Sequence, residues 1–262
     1  MRALSSAATG MLAQQLNVDV ISNNLANVNT TGFKRQRTEF QDLLYQTLQR
    51  PGAQSSNAGT TVPTGIQVGA GVRAGSTYRI VEQGGFVNTE GRFDVAISGD
   101  GFFVVDLPDG TQAYTRAGNF AVNQDGQLVT DDGFLLNPAI TVPNDAIDVV
   151  IARDGVVQAI QPGGGPPQNV GQIQLATFVN PAGLDAIGDN LLLETEASGP
   201  PTLGNPAELG IGTLTQGFLE GSNVNAVQEI TGLITAQRAY ELNARVITTA
   251  DEMLQQIGSL QA

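Results

Sequence analysis

An α+β fold is expected from three observations. Helical periodicity is confined to the two ends of the 262-residue chain. The middle is cut into short β-rich runs by turn signals. Asp-Gly recurs there at 100–101, 109–110, 125–126, 132–133 and 154–155, a hairpin signal when apolar runs flank it. The expected architecture has long N- and C-terminal α-helices pairing as a coiled coil, with a central, mostly antiparallel β domain. Residues 1–36 and 218–262 would form the helical domain, 37–80 an extended or β connecting segment, and 81–217 the β domain.

The first helix is read from Leu4, Ala7, Met11, Gln14, Val18, Ile21, Leu25 and Val28. These alternate at spacings of three and four, the seven-residue repeat of a coiled-coil seam. Gly10, Asn17 and Asn24 lie beside that seam on one flank. Asn is a poor helix former because its amide competes for nearby backbone groups. A helix end explains Asn27 and Asn29 but not Asn17, Asn23 and Asn24. Thr30, Thr31 and Gly32 stop the helix, Gly suiting the left-handed turn beyond a C-terminus. Lys34, Arg35 and Arg37 follow near the negative end of its dipole.

The last helix is expected over about 224–257. Leu233, Tyr240, Ile247 and Leu254 recur every seven residues on one face. Leu242, Val246, Met253, Ile257 and Leu260 form a second stripe, roughly opposite at about 100° per residue. A helix that is apolar on two sides must be covered on both. One partner helix covers one side, so something else must cover the other.

Between the helices, "FDVAISGDGFFVVDLPDGTQAYTR" reads as strand, turn, strand, turn, strand, and "DVVIARDGVVQAI" as a hairpin about Asp154-Gly155. "TLQRPGAQSSNAGTTVPTG", residues 47–65, reads as a polar loop or extended linker, and so does "PGGGPPQNVG".

Composition narrows the function. Net charge is −13 with no His. It is +2 over residues 1–50, −12 over 51–216 and −3 over 217–262. Lys34 is the only lysine. Such a balance argues against nucleic acid, which needs a basic face. Without Cys there is no disulfide or thiolate metal site. The start lacks the apolar core of a cleaved signal peptide. No stretch approaches the ~20 apolar residues of a membrane span, so no membrane insertion is expected.

No catalytic, metal-ligating or cofactor-binding residue stands out. "VNQDGQLVTDD" glances at a calcium loop, but Ala121 stands at the first ligand position and Asp132 where a bidentate Glu belongs. A hairpin turn explains it better. Gly163-Gly164-Gly165 lacks the Gly-Lys-Ser/Thr ending of a phosphate loop. Asp131 and Asp132 could serve a glycosidase, yet adjacent carboxylates on a turn usually face water.

Five longer stretches carry a resemblance. "SSAATGMLAQQLNVDVISNNLANVNTTGFKRQRTEFQDLLYQTLQRPGAQSS" looks like the N-terminal signature of the flagellar axial proteins of rod and hook. "EGSNVNAVQEITGLITAQRAYELNARVITTADEMLQQI" is similar to their C-terminal signature. "DVAISGDGFFVV", "YTRAGNFAVNQDGQLVTDDGFLLNP" and "GQIQLATFVNPAGL" resemble their central β segments. Length and "DLLYQTLQRPGAQSS" fit a distal rod member best, with a proximal rod member of similar length as the alternative. A cell-wall-binding protein or hydrolase with helical arms is the reading from another class, and it lacks a nucleophile, a metal site or a sugar-stacking Trp.

The resemblance implies a hollow tubular homopolymer that transmits torque, its channel lined by paired terminal helices and its outer wall built from β domains. It implies a place in the basal body, in the periplasmic distal rod, reached through the flagellar type III export apparatus without a cleaved signal. The implied partners are other copies, the proximal rod proteins, the hook protein and the P and L ring bushing. Subunit packing is expected from Leu4, Gly10, Met11, Asn17, Val18, Ile21, Asn24, Leu25, Leu233, Tyr240, Leu242, Val246, Ile247 and Leu254. Gln49, Arg50, Gln54, Ser55 and Ser56 mark a rod-specific segment expected at subunit contacts. The Asn flank would bond laterally to neighbouring copies.

Overall fold

The computed structural model describes residues 2–52, 63–163, 166–208 and 210–260. Within it the chain forms two compact units. One comprises residues 1–26, 36–78 and 225–262; the other comprises 27–35 and 79–224. Two long helices and a set of antiparallel sheets make the fold α+β.

The first unit holds helix α1, Arg2–Ala26, and helix α2, Ala226–Leu260. Asn225 caps α2, its Oδ1 accepting the N–H groups of Val227 and Gln228. Three close pairs, Asn24 with Glu229, Ile21 with Gly232 and Gly10 with Asn243, share one antiparallel register. Small side chains bring the axes together. Ala7, Ala13, Val20 and Ile21 of α1 are buried, and so are Ala236 and Ala250 of α2. Carried onward, the register sets Arg2 level with Asp251, so α2 runs on past the start of α1. At 1.5 Å per residue the overhang is about 14 Å, and every residue over 251–259 is exposed.

Beside the helices runs a two-stranded ribbon. Gln36–Asp42 pairs with Val72–Arg79, and Tyr45–Gln49 pairs antiparallel with Ile66–Gly69. The Leu43 N–H to Gly71 O and Ala70 N–H to Leu44 O bonds join the two pairings. Part of the stretch expected to be a loop, Thr47–Gln49, is therefore strand. The ladder sets Gln46 opposite Val68 and Gln49 opposite Ile66, so cross-strand pairing outweighs the polar character of the stretch.

The second unit is all β. Its largest sheet has nine strands, and Phe102–Asp106 is central, pairing with Gln112–Thr115, Leu135–Asn137 and Leu175–Thr177. A three-stranded sheet, Asp148–Ile151, Val156–Ile160 and Gln168–Gln172, adds to it. Val95, Ile97, Phe103, Leu128, Leu136, Ile140, Ile173 and Leu214 fill one core. Phe102, Val104, Tyr114, Ala176 and Phe178 fill a smaller one, closed by edge-to-face contacts of Phe178 with Tyr114 and Phe102. Four of the five Asp-Gly pairs make tight hairpin turns, their glycines at φ +80 to +86. Asp100-Gly101 does not, because Val95–Ser98 pairs with Thr213–Gln216 rather than with the strand that follows it.

Candidate functional site

The helical unit shows where each expected packing residue lies. Gly10, Asn17 and Asn24 fall in the middle of the face that α1 turns to its own α2. A Cβ on Gly10 would lie 2.9 Å from the Asn243 amide, so Gly10 admits that side chain and a larger residue would have to push it aside. Asn24 is buried and fully engaged inside the chain. Its Nδ2 donates to Gln36 O at 2.8 Å and to Glu229 Oε2 at 3.0 Å, and its Oδ1 accepts the Gln36 N–H at 2.9 Å. The lateral bonding expected of this amide is corrected accordingly: Asn24 ties the chain beyond α1 to the first turn of α2. Asn17 is half-buried and reaches Gln14 on its own helix at 3.5 Å.

Leu4, Met11, Val18 and Leu25 are half-buried along the edge of that face. Val18 joins Gln15, Gln237, Tyr240 and Glu241 around an open hollow between the helices. On α2, Leu233 and Ile247 are half-buried, while Tyr240, Leu242, Val246, Met253, Leu254 and Ile257 are exposed. Val227 is 74% exposed and Leu12 on α1 68%. One side of α2 thus meets α1, and the apolar residues on its other sides have no cover within this unit.

The ribbon repeats this pattern. Leu44 is 88% exposed, and Tyr45, Leu48 and Ile66 are more than half exposed. An isolated two-stranded hairpin is marginal in water, and these side chains gain little burial among the described residues. Gln49 is half-buried and Arg50 exposed there; Gln54, Ser55 and Ser56 lie outside the described residues.

The β unit contains a cluster that sequence reasoning missed, a buried ionic node. Glu220 is wholly buried. Its Oε1 accepts from Lys34 Nζ at 2.5 Å and from the Gly84 N–H at 2.9 Å, and its Oε2 from Arg116 Nη1 at 3.1 Å. Lys34 Nζ also donates to Glu82 O, and Arg116 Nη2 to Gly99 O, with the guanidinium over the Phe102 ring. Burial holds the Lys34 ammonium below the usual lysine range, opposed by Glu220 and reinforced by Arg116. Burial likewise lowers Arg116, against the pull of Glu220 and Asp100. The one signal available was that the chain's single lysine directly follows a helix stop.

The chemical candidates dissolve into turns. Asn123 Oδ1 accepts the N–H groups of Asp125 and Gln127, which makes 123–127 an Asx-type turn. Asp131 accepts a short hydrogen bond from Asn119 Nδ2, and Asp132 is exposed. Among the described residues no group of three or more acidic, His or Cys side chains is placed to hold a metal, and no helix is long and apolar enough to cross a membrane.

Comparison with known proteins agrees with this anatomy element by element. Residues 4–34 match the model described as flagella basal body rod protein. Residues 96–159 match the flagellar hook protein FlgE/F/G D1 domain, and 215–260 the flagellar basal body rod FlgEFG protein C-terminal region. Terminal helices that flank a β unit in the sequence, with these three segments, define a flagellar axial protein of the rod and hook class. The flagellar basal-body rod protein FlgG of Caulobacter vibrioides is 60% identical over the whole of both chains. That of Agrobacterium fabrum is 51% identical over 97% of each, and that of Bacillus subtilis 42% identical over 100% of this chain and 99% of its own. The chain belongs to the FlgG family of flagellar basal-body rod proteins.

Proposed function

We propose that this chain is the structural subunit of the flagellar distal rod, polymerising into a hollow drive shaft that transmits torque to the hook. The observation that carries the reading is the uncovered apolar surface of the helical unit, on α2 and on the ribbon, in a family of rod proteins. In a tube wall each copy's α2 is covered on one side by its own α1 and on the others by neighbours. There the helical pair tightens into a coiled coil, with Leu4, Met11, Val18, Leu25, Tyr240, Leu242, Val246 and Leu254 at subunit contacts. Residues 1–36 with 218–262 act as the polymerising domain, 37–80 as the connecting segment and 81–217 as the β domain. The protein works by packing and not by catalysis or a cofactor.

Its partners are copies of itself, the proximal rod proteins, the hook protein, the P and L ring bushing and the type III export apparatus. Its place is the periplasmic part of the basal body. The ribbon segment around Gln49 and Arg50 sits at subunit contacts and stiffens the rod. Electron microscopy of the concentrated purified protein tests the reading: ordered hollow tubes are expected, and a protein that stays monomeric at every concentration counts against it. Deleting residues 50–64 should leave the β unit folded and change the tube's curvature. An unchanged straight tube would sink the role given to the ribbon.

A further inference from the structure

The chain crosses between its two units four times, after Ala26, Arg35, Tyr78 and Val224. On the β side, three short passages adjoin these crossings, the segments 30–35, 79–85 and 217–224. All three segments meet at the ionic node. From the first, Lys34 reaches Glu220 and Glu82 O, and the Gly32 N–H donates to Glu220 O at 2.7 Å. From the second, the Gly84 N–H donates to Glu220 Oε1, and the Ile80 N–H to Arg35 O. From the third, Asn223 closes the set: its Oδ1 accepts the Arg35 N–H at 2.7 Å, and its Nδ2 donates to Ile80 O and Glu82 O at 2.9 Å.

We infer that Glu220 and Asn223 bind these three passages into one joint that opens only as a whole. The reasoning is energetic. Opening any one segment strips partners from the other two, and opening the first or the third also parts the buried charges of Lys34 and Glu220. Losing one partner of a buried ion pair is far costlier than losing a surface contact, and polar networks in low dielectric strengthen one another. The segments therefore share one opening free energy instead of three small ones, as a cooperative unit does. In a rod subunit, the role proposed above, such a joint spreads load over three strands in parallel. The cooperativity itself belongs to the single chain and stands apart from that reading.

Native-state hydrogen exchange on the purified full-length chain tests it. Asn223→Ala deletes bonds to the first two passages and touches none of Glu220's. Exchange should quicken tenfold or more at the Arg35 N–H, which loses its acceptor, and by a similar factor at the Gly32 and Gly84 N–H groups, which keep theirs. The strand amides of Val104 and Val157 should stay within twofold of the native rate. Two results overturn the joint: acceleration confined to Arg35, or equal acceleration at Val104 and Val157, which would make the node an ordinary part of global stability. Glu220→Gln provides the converse, quickening Arg35, whose own acceptor it leaves intact. Asn223→Ala carries the test alone if that variant does not fold.

Discussion

The β unit and the helical unit solve the burial problem differently. The β unit closes its own core: Val95, Ile97, Phe103, Leu136 and Leu175 are fully buried, and its hairpins pair among themselves. The helical unit has the longer elements and the thinner interior. Half of its buried helix residues are Ala, the others being Val20, Ile21, Asn24 and Glu229, while Leu12, Val227 and Leu242 face outward. Burying a large aliphatic side chain is worth about 1.5–3 kcal/mol, so the β unit draws its stability from within. The helical unit leaves most of that free energy to be gained on assembly. One region closes its own core and the other leaves its apolar faces open.

The sharpest way to break this contrast is a charge on the half-buried edge of α1. Val18→Asp should abolish tube formation, because an unpaired charge in packed surroundings costs several kcal/mol. It should leave the β unit's thermal transition in place. Normal tubes, or loss of that transition, would contradict the division. Cells carrying the variant should be non-motile.

Gly10→Leu comes next. Its side chain must displace the Asn243 amide, and overpacking of this kind costs about 1–3 kcal/mol. Helix content by circular dichroism should fall in the monomer while the β unit's melting stays fixed. Asn24→Leu should act in the same unit by removing the bonds to Gln36 and Glu229, and a monomer as helical as the parent would contradict the engagement seen there.

Limited proteolysis gives a milder test. Trypsin should cut at Arg238 and Arg245, both exposed on α2, well before Arg116, which is buried. Arg116 cleaved as early as Arg238 would erase the contrast.

The smallest effect concerns pH. Burial, and secondarily Glu194, raise the Tyr114 phenol above its usual value. The unfolded tyrosine ionises first, so stability is full below the ordinary phenol range near 10 and is lost as pH rises through the folded value. Tyr114→Phe should flatten the fall in melting temperature between about pH 9 and 11. An unaltered slope would remove Tyr114 from the account.

Much of this was readable in the sequence because periodicity reports burial. The two helices and the Asp-Gly hairpins follow from local spacing and turn chemistry, which need no tertiary information. The two-sided apolar pattern of α2 already asked for more than one cover. Face assignment on α1 was not readable. Gly10, Asn17 and Asn24 look like a polar flank beside a leucine line, yet backbone approach decides the matter. Gly and Ala let α2 come close on their side, and the bulkier Leu4, Met11 and Val18 fall to the edge. The ionic node was equally hidden. Lys34, Arg116 and Glu220 are 82 and 104 residues apart in sequence, and nothing local marks a charge that will be buried. The ribbon was half hidden, since its polar letters suggest a linker while cross-strand pairing makes it a strand.

The stagger between α1 and α2 has a directional consequence. Two copies meeting tail to tail would set one bare α2 end against another and leave two blunt ends idle, a closed and finite object. Copies meeting head to tail use one bare end at each join and regenerate an identical one, so the same step repeats indefinitely. In the homopolymer proposed above, the roughly 14 Å by which one helix outruns the other would give the assembly an arrow, with two chemically different tips.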